Sequence, residues 1–421
     1  MKKFVFVFVM FLGVVFFGLG CGKLKDPNSV DNENDYYLGV NSIPYSGGSV
    51  SRSPNKEYYA AGEKVKLTAK PNSGYTFVSW SYTSWSDWSD LLGGSEKNIE
   101  TISTKDTVTI IVDGKSLDAN FFHHEPFNLS DSAAWEEALN IIRISGGNKT
   151  YTINVLSDIV VSGYCYYCSS NGYSGTFGDT GLTVTLQGSA TISLSQSYSG
   201  YSPLSVGYGQ TVIMKDLTLN WYFASVDVVG GTFNMESGKI WGGVSVVGGT
   251  FNMNDGTISG VSVNKGGTFN MDGGTISGGG VYVGNGGTFN MSDGRISGNT
   301  ADRGGGVSVG DSGTFTMTGG AIWGNTAEYG GGGVYVYENA IFSKTGGLIN
   351  GYDGDPVNGN RVLNCVNGSD YRYGCGHAVS VRYYENGRVI YGFKGKETSA
   401  VRYMDLYFNG ITGEFSGAWD Y

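Results

Sequence analysis

The chain has 421 residues, with 27 Lys and Arg against 37 Asp and Glu, a net charge of −10 and only 15% charged residues. Such a chain lacks the clustered Lys and Arg that phosphate binding needs, which argues against nucleic acid as a partner. Hydrophobic residues at 40% and aromatics at 14% exclude a disordered composition despite 70 glycines.

At the N-terminus Lys2 and Lys3 precede an apolar run from Phe4 to Gly20. The run is short and terminal, so it reads as a secretory signal over residues 1–20 rather than a spanning helix. It ends Gly18-Leu19-Gly20-Cys21, which resembles the lipobox of bacterial lipoproteins. The resemblance implies lipidation at the Cys21 thiol; an ordinary cleaved signal and an uncleaved anchor are the alternatives. Residues 21–37 are polar, without apolar periodicity, and form a tether.

Residues 38–122 alternate apolar and polar positions at Val65, Leu67 and Ala69, turn at Pro71-Asn72-Ser73-Gly74, then continue through Tyr75, Phe77 and Trp80. Two further runs carry Val108, Ile110, Ala119 and Phe121. Alternation broken by turn residues predicts short antiparallel strands. With Pro54, Gly62, Pro71, Gly74-Tyr75 and Trp80, this stretch resembles the divergent internalin B-repeat family, small β-rich modules of bacterial surface proteins. An insertion with Trp85 and Trp88 departs from the compact version; the two rings could stack on a sugar or pack on their own loop.

Next, Trp135, Leu139 and Ile142 fall at i, i+4, i+7 after the polar Ser130–Ser132, and Gly146-Gly147 stop the pattern. This predicts an amphipathic helix able to cover the open, apolar end of a stack of strands.

The remainder of the chain is dominated by a repeat. Val212, Phe233, Phe251, Phe269, Phe289, Phe315 and Phe342 form one column, and Met214, Met235, Met253, Met271, Met291, Met317 and Lys344 stand two residues later. A third column runs Leu219, Ile240, Ile258, Ile276, Ile296, Ile322, Ile349, with Val-x-Val pairs such as Val281/Val283 and Val334/Val336 after it. Each is a period-2 signal, so each phrase holds three short strands. One phrase is too small to fold alone, and stacked copies bury each other's faces. The fold class expected is all-β: a small antiparallel module, then a right-handed parallel β-helix with an N-terminal capping helix over 123–376, and final rungs with a C-terminal cap over 377–421. The phrase resembles repeat-rich β-helix lipoproteins and adhesin-like proteins of bacterial surfaces.

Four cysteines remain beyond Cys21: Cys165 and Cys168 in a CYYC, Cys365 and Cys375 ten residues apart. About seven rungs, on the order of 30 Å, separate the two pairs, beyond the ~7 Å reach of a disulfide. That leaves local bridges Cys165–Cys168 and Cys365–Cys375, with a redox CxxC or free thiols as alternatives.

Catalytic and binding candidates lie on outward positions. The matched insertions GNTADRGGG and GNTAEYGGGG place Asp302, Arg303, Glu328 and Tyr329 for stacking as loops; a pair of acids facing one bond is what polysaccharide hydrolysis requires, and solvated loop tips are the plain reading. The pectin-hydrolase motifs of this fold are not matched; the nearest stretch is Gly376-His377-Ala378. Asp353, Asp355, Asn358 and Asn360 in DGDPVNGN offer oxygen ligands for a calcium candidate in a turn-rich segment. Thr232, Thr250, Thr268, Thr288 and Thr314, with Asn234, Asn252, Asn270 and Asn290 two residues on, make a flat ladder; stacked amides bond one another, and a threonine array can also order water. Tyr282 and Tyr335 between paired valines, and Trp241 and Trp323 after the isoleucine column, are expected to lie outward, where aromatics stack on sugars or anchor a protein.

The sequence therefore points to a lipid-anchored cell-surface protein for adhesion or recognition of a carbohydrate or protein, without catalysis and without cofactor, placed in the cell envelope as an outer-membrane lipoprotein. A polysaccharide lyase or hydrolase and a passive envelope spacer are the alternatives.

Overall fold

A computed structural model describes residues 35–421 apart from 44, 83–100, 124–125, 146–149, 162–175, 179–180, 196–201, 222–223, 311, 352–357, 364–376, 386–387, 395–400, 403–405, 410–413 and 418–421. The chain divides into two compact units, Met1–His124 and Glu125–Tyr421.

In the first unit, Gly48–Ser53, Lys64–Pro71 and Thr107–Ile111 form an antiparallel sheet. A second sheet orders Val40–Ile43, Leu117–His123, Tyr75–Tyr82 and Thr101–Ser103. Its first pairing, between Val40–Ile43 and Leu117–His123, is parallel, in contrast to the antiparallel pairing that the alternation predicts. Val65, Leu67, Ala69, Trp80, Ala119 and Phe121 are buried between the strands. Phe77 and Trp80 sit three residues apart, yet their rings meet at 5.4 Å. A bulge between Phe77 and Ser79 makes this possible by shifting the alternation one residue out of phase. Trp80 Nε1 then donates to Lys105 O at 3.0 Å, which satisfies the one polar atom this burial removes from water. The insertion bearing Trp85 and Trp88 lies outside the described residues.

The second unit is a parallel β-helix. It opens with strand Phe127–Leu129 and helix Ser132–Ser145. Asp131 Oδ1 accepts a hydrogen bond from Ala134 N at 2.9 Å, an N-cap bond. Trp135, Leu139 and Ile142 are buried, and the helix packs on Phe127–Leu129 and Ile159–Val161, the first strands of the two long sheets. An apolar stripe at helical spacing thus covers the starting edge of the stack.

One long sheet stacks the Thr-Phe-Asn-Met strands in strict register, for example Thr250↔Thr268↔Thr288 and Phe251↔Phe269↔Phe289. The phenylalanine rings from Phe233 to Phe342 lie 5.3, 4.9, 4.8, 4.7 and 5.4 Å apart. The other long sheet carries the isoleucine column and the valine pairs. In the central coils these two segments form single strands, Lys239–Val247, Thr257–Asn264 and Thr275–Val283, rather than the separate pair read from the phrase. A register shift near Ile240/Gly243 and Ile258/Gly260 marks the joint. In later coils an insertion separates them, and Thr300–Arg303, Thr326–Gly330 and Arg361–Val362 make a third parallel sheet.

The corners after Met253, Met271, Met291 and Met317 need glycine for two reasons. Gly256, Gly274, Gly294 and Gly320 hold φ of 107°, 80°, 95° and 76°, a region that L side chains avoid. A Cβ there would also stand 2.5–2.6 Å from the methionine Cε of the preceding coil. The methionine column is therefore packed because the glycine column exists.

At the far end, Val379–Glu385 adds one parallel strand and Arg388–Lys394 folds back on it. Leu406–Asn409 then runs antiparallel to Ile341–Lys344, so that Phe408 covers Phe342 and Leu406 pairs with Lys344, and Glu414–Gly417 folds back antiparallel on Leu406–Asn409. Lys344 is fully buried in the methionine column.

Candidate functional site

The Phe/Met sheet presents its Thr and Asn columns outward while Phe and Met point in, as its burial alternation shows. The amides join in one direction: Asn252 Nδ2 donates to Asn234 Oδ1 at 2.7 Å, Asn270 to Asn252 at 2.8 Å, and Asn290 to Asn270 at 2.9 Å. In the next coil Thr316 replaces the asparagine. There a shallow groove of about 280 Å³ is lined by Asn252, Asn270, Asn290, Asp272, Ser292, Thr316 and Thr318 over Met291. The Ser292 hydroxyl donates to Asp272 Oδ1. The asparagine column is legible in the sequence. Its flank Asp272, Ser292 and Thr318, each directly after the methionine position, is not among the residues the sequence reading selects; the recurrence of polar residues at that place is the signal.

The outer face of the Ile/Val sheet carries the aromatic candidates. Trp241 is 38% exposed and Tyr282 37% exposed. Trp323 is partly buried, with the Arg295 guanidinium 5.2 Å from its ring centre. Trp241 and Trp323 are four coils apart, about 19 Å at the strand spacing, with Ser259, Ser277 and Ser297 at the intervening positions. They do not form one site. Tyr282 and Tyr335 share an outward column with Ser308 between them.

Tyr335 departs from the expectation of an exposed platform, being only 1% exposed. Tyr337 packs edge-on at 4.7 Å, and the Arg303 guanidinium sits 5.7 Å from the Tyr335 ring centre. Residues outside its own strand repeat therefore cover it. Asp227, in the same column, escapes sequence reasoning because it looks like a solvated residue between valines. Burial pushes its carboxyl above the usual range, against the Ser225 hydroxyl that donates to it at 2.6 Å.

The third sheet does bring the insertion residues together. Thr300 pairs with Thr326 and Ala301 with Ala327, and a bulge intervenes before Arg303 pairs with Gly330. Tyr329 is held above the ordinary phenol range by its hydrogen bond to Glu328, then by the Glu328 charge, with Asp302 adding and Arg303 opposing. Arg303 lies 5.7 Å from the Tyr329 ring centre. Burial works against the Arg303 charge, but a hydrogen bond to Tyr337 and the neighbouring tyrosines hold its pKa above the usual value. Asp302, Arg303, Glu328 and Tyr329 thus form one cluster, with Asp302 exposed, the other three partly buried and Asp302 acting on Tyr329 through its charge.

The calcium candidate is corrected at Asn360, which is fully buried. Its Oδ1 accepts from Asn325 N and Nδ2, both at 3.0 Å, and its Nδ2 donates to Ile322 O at 2.9 Å and Asn350 O at 2.7 Å. It belongs to an inner ladder, Asn299–Asn325–Asn360, in which Asn299 Nδ2 donates to Asn325 Oδ1 at 2.9 Å. An amide so engaged has nothing left for a cation. The Asn358 side chain is exposed, while its carbonyl accepts from Gly324 N at 3.2 Å and Asn350 Nδ2 at 2.8 Å. Asp353, Asp355, Cys21, Cys165, Cys168, Cys365 and Cys375 lie outside the described residues. Among the described residues, no group of three His, Cys, Asp or Glu side chains is placed to hold a metal. Among them also, no helix is long and apolar enough to cross a membrane.

No curated protein and no solved structure matches the chain. The family model of the divergent InlB B-repeat domain matches residues 38–124, so this part of the chain is an InlB B-repeat-like domain.

Proposed function

We propose that the protein is a lipid-anchored cell-surface protein that recognises a carbohydrate or a neighbouring protein without catalysis. The observation that carries this reading is the InlB B-repeat-like domain at residues 38–124, which argues for a surface or adhesion-type role. The β-helix supports it with extended outer faces, one carrying a polar ladder that repeats at the strand spacing and the other the exposed Trp241 and Tyr282. Cys21 at the end of the apolar N-terminal run is the proposed anchor, on an outer-membrane lipoprotein facing outward.

The experiment applies the full chain, held in mild detergent, to immobilised polysaccharides and matrix proteins while the supernatant is assayed for released sugar. Saturable binding without release supports the proposal; a protein with no saturable ligand is a passive spacer. One observation favours a second reading, a polysaccharide-acting enzyme: the third sheet gathers Asp302, Glu328 and Arg303 around Tyr329. Sugar release that disappears in Asp302→Ala or Glu328→Ala would establish it.

A further inference from the structure

The outer asparagine ladder has a direction and therefore two unlike ends. Each amide from Asn252 to Asn290 donates to the one before it. Every Oδ1 from Asn234 to Asn270 thus receives a bond, and the chain of bonds ends on the carbonyl of Asn290. Among the described residues, none donates to Asn290 Oδ1, because the next coil presents Thr316 there without a bond to it. Aligned amides polarise one another, so the terminal carbonyl is the strongest acceptor of the series.

The groove lies over this end. Beside the column Asn252, Asn270, Asn290, Thr316 runs a second, Asp272, Ser292, Thr318. Its members are in step coil by coil, since Asp272 N, Ser292 N and Thr318 N donate to Met253 O, Met271 O and Met291 O, each at 2.9 Å. Asp272 receives the Ser292 hydroxyl on Oδ1 and keeps Oδ2 as a charged acceptor. The two columns flank the buried methionine and stand about 7 Å apart, at two residues of strand rise. The floor therefore offers the Asn290 carbonyl and the Asp272 carboxylate as acceptors on two parallel lines, with the second amide hydrogens of Asn252, Asn270 and Asn290 and the Thr316 hydroxyl as donors beside them. A volume of about 280 Å³ is near the lower end for small-ligand clefts, enough for a segment of one or two sugar rings.

We infer that this groove binds a neutral, hydroxyl-rich glycan segment lying along the helix axis, its hydroxyls donating to Asn290 Oδ1 and the Asp272 carboxylate. An acidic glycan brings its carboxylates to the Asp272 carboxylate, and the chain's net charge of −10 opposes it as well. A peptide finds no pocket for an apolar side chain, as Met291 is the single apolar residue of the lining and is buried. The inference rests on the recognition reading above and names its ligand class and site.

The test is affinity electrophoresis of the full chain in detergent-containing gels with neutral glucan, mannan or xylan, or with polygalacturonate. Thr316→Val, Asp272→Asn and Asn290→Leu leave the strands and the buried columns in place; matching thermal midpoints check this. Retardation by a neutral polysaccharide, weakened about three- to tenfold in each variant for one lost hydrogen bond, supports the inference. Equal retardation of wild type and all three variants would overturn the groove as the site while leaving recognition standing. So would retardation by polygalacturonate alone, or binding confined to an immobilised protein. No saturable ligand of any kind would overturn both readings.

Discussion

Phe289 and Phe315 stack at 4.7 Å with their planes 6° apart, although 26 residues separate them. Phe251 and Phe269, only 18 residues apart, stack no better, at 4.9 Å and 7°. The longer coil keeps its core spacing because its extra residues leave the stack as the third sheet, where Thr300–Arg303 pairs with Thr326–Gly330. The core thus depends on column identity and not on repeat length. Phe289 lies between two rings, with Phe269 at 4.8 Å on its other side. Phe289→Ala is expected to destabilise the protein by about 3–5 kcal/mol, since the neighbours are fixed by strand pairing and cannot close the cavity. Thr288→Ser, one residue away on the outer face, is expected to stay within about 0.5 kcal/mol. Denaturant unfolding of the two variants checks the contrast.

The two asparagine ladders make a second contrast. Asn325 is buried; it receives the Asn299 side chain at 2.9 Å and backbone N at 3.1 Å, and its Nδ2 donates to Ile296 O at 2.9 Å. Asn325→Ala strands several buried polar groups at once, each costing about 1–3 kcal/mol. Asn252 bonds its neighbours at the surface, where water can replace them, so Asn252→Ala is expected to cost only about 0.5–1.5 kcal/mol. Equal losses in thermal or denaturant unfolding would refute the assignment of inner and outer roles.

The repeat is legible because its buried side chains recur at fixed positions and depend only on the coil above and below. Phe233 through Phe342 and the isoleucine column are of this kind, and the capping stripe Trp135, Leu139, Ile142 is legible by its helical spacing. What stays illegible depends on residues that no repeat position specifies. Tyr335 alternates outward like Tyr282, but Tyr337 and Arg303 cover it. Asn360 looks like an oxygen ligand in a turn, although Gly298-Asn299, Gly324-Asn325 and Gly359-Asn360 share a dipeptide that marks the inner ladder. The groove arises where the outer ladder stops, and the sequence signals that end with a single change, Asn290 to Thr316.

The proposed anchoring at Cys21 has a direct consequence for location. A lipid on the thiol would hold the chain in the membrane fraction by burying acyl CH₂ groups at about 0.8 kcal/mol each. Cys21→Ser is expected to move the protein from the membrane pellet to the soluble fraction without changing its unfolding midpoint. Retention in the pellet would point instead to the apolar run Phe4–Gly20 as an uncleaved anchor.

His377 ties stability to pH. Val362 N–H donates to its Nδ1 at 3.0 Å, so this nitrogen must be unprotonated, and burial lowers the imidazole pKa below its ordinary value. Because the folded pKa is depressed, the unfolded chain binds the proton first. Stability is therefore full above the unfolded value of about 6.5 and declines as pH falls from there through the folded pKa. Denaturant midpoints measured from pH 7.5 downward are expected to fall more steeply for wild type than for His377→Gln, which can still accept the Val362 bond but does not titrate.

The third-sheet cluster makes its own titration prediction, independent of any ligand. Tyr329 is raised first by the hydrogen bond to Glu328, then by the Glu328 charge, while Asp302 adds and Arg303 subtracts. Glu328→Gln removes the charge and is expected to bring the Tyr329 transition down toward the usual tyrosine value. Asp302→Asn moves it the same way but less, because Asp302 acts through its field alone. Arg303→Gln moves it upward, because a nearby cation favours phenolate. Difference absorbance between pH 8 and 12, with Tyr329→Phe assigning the signal, reads all three. If Glu328→Gln leaves the transition in place, the two side chains do not meet, and the gathering that favours the enzyme reading loses Glu328.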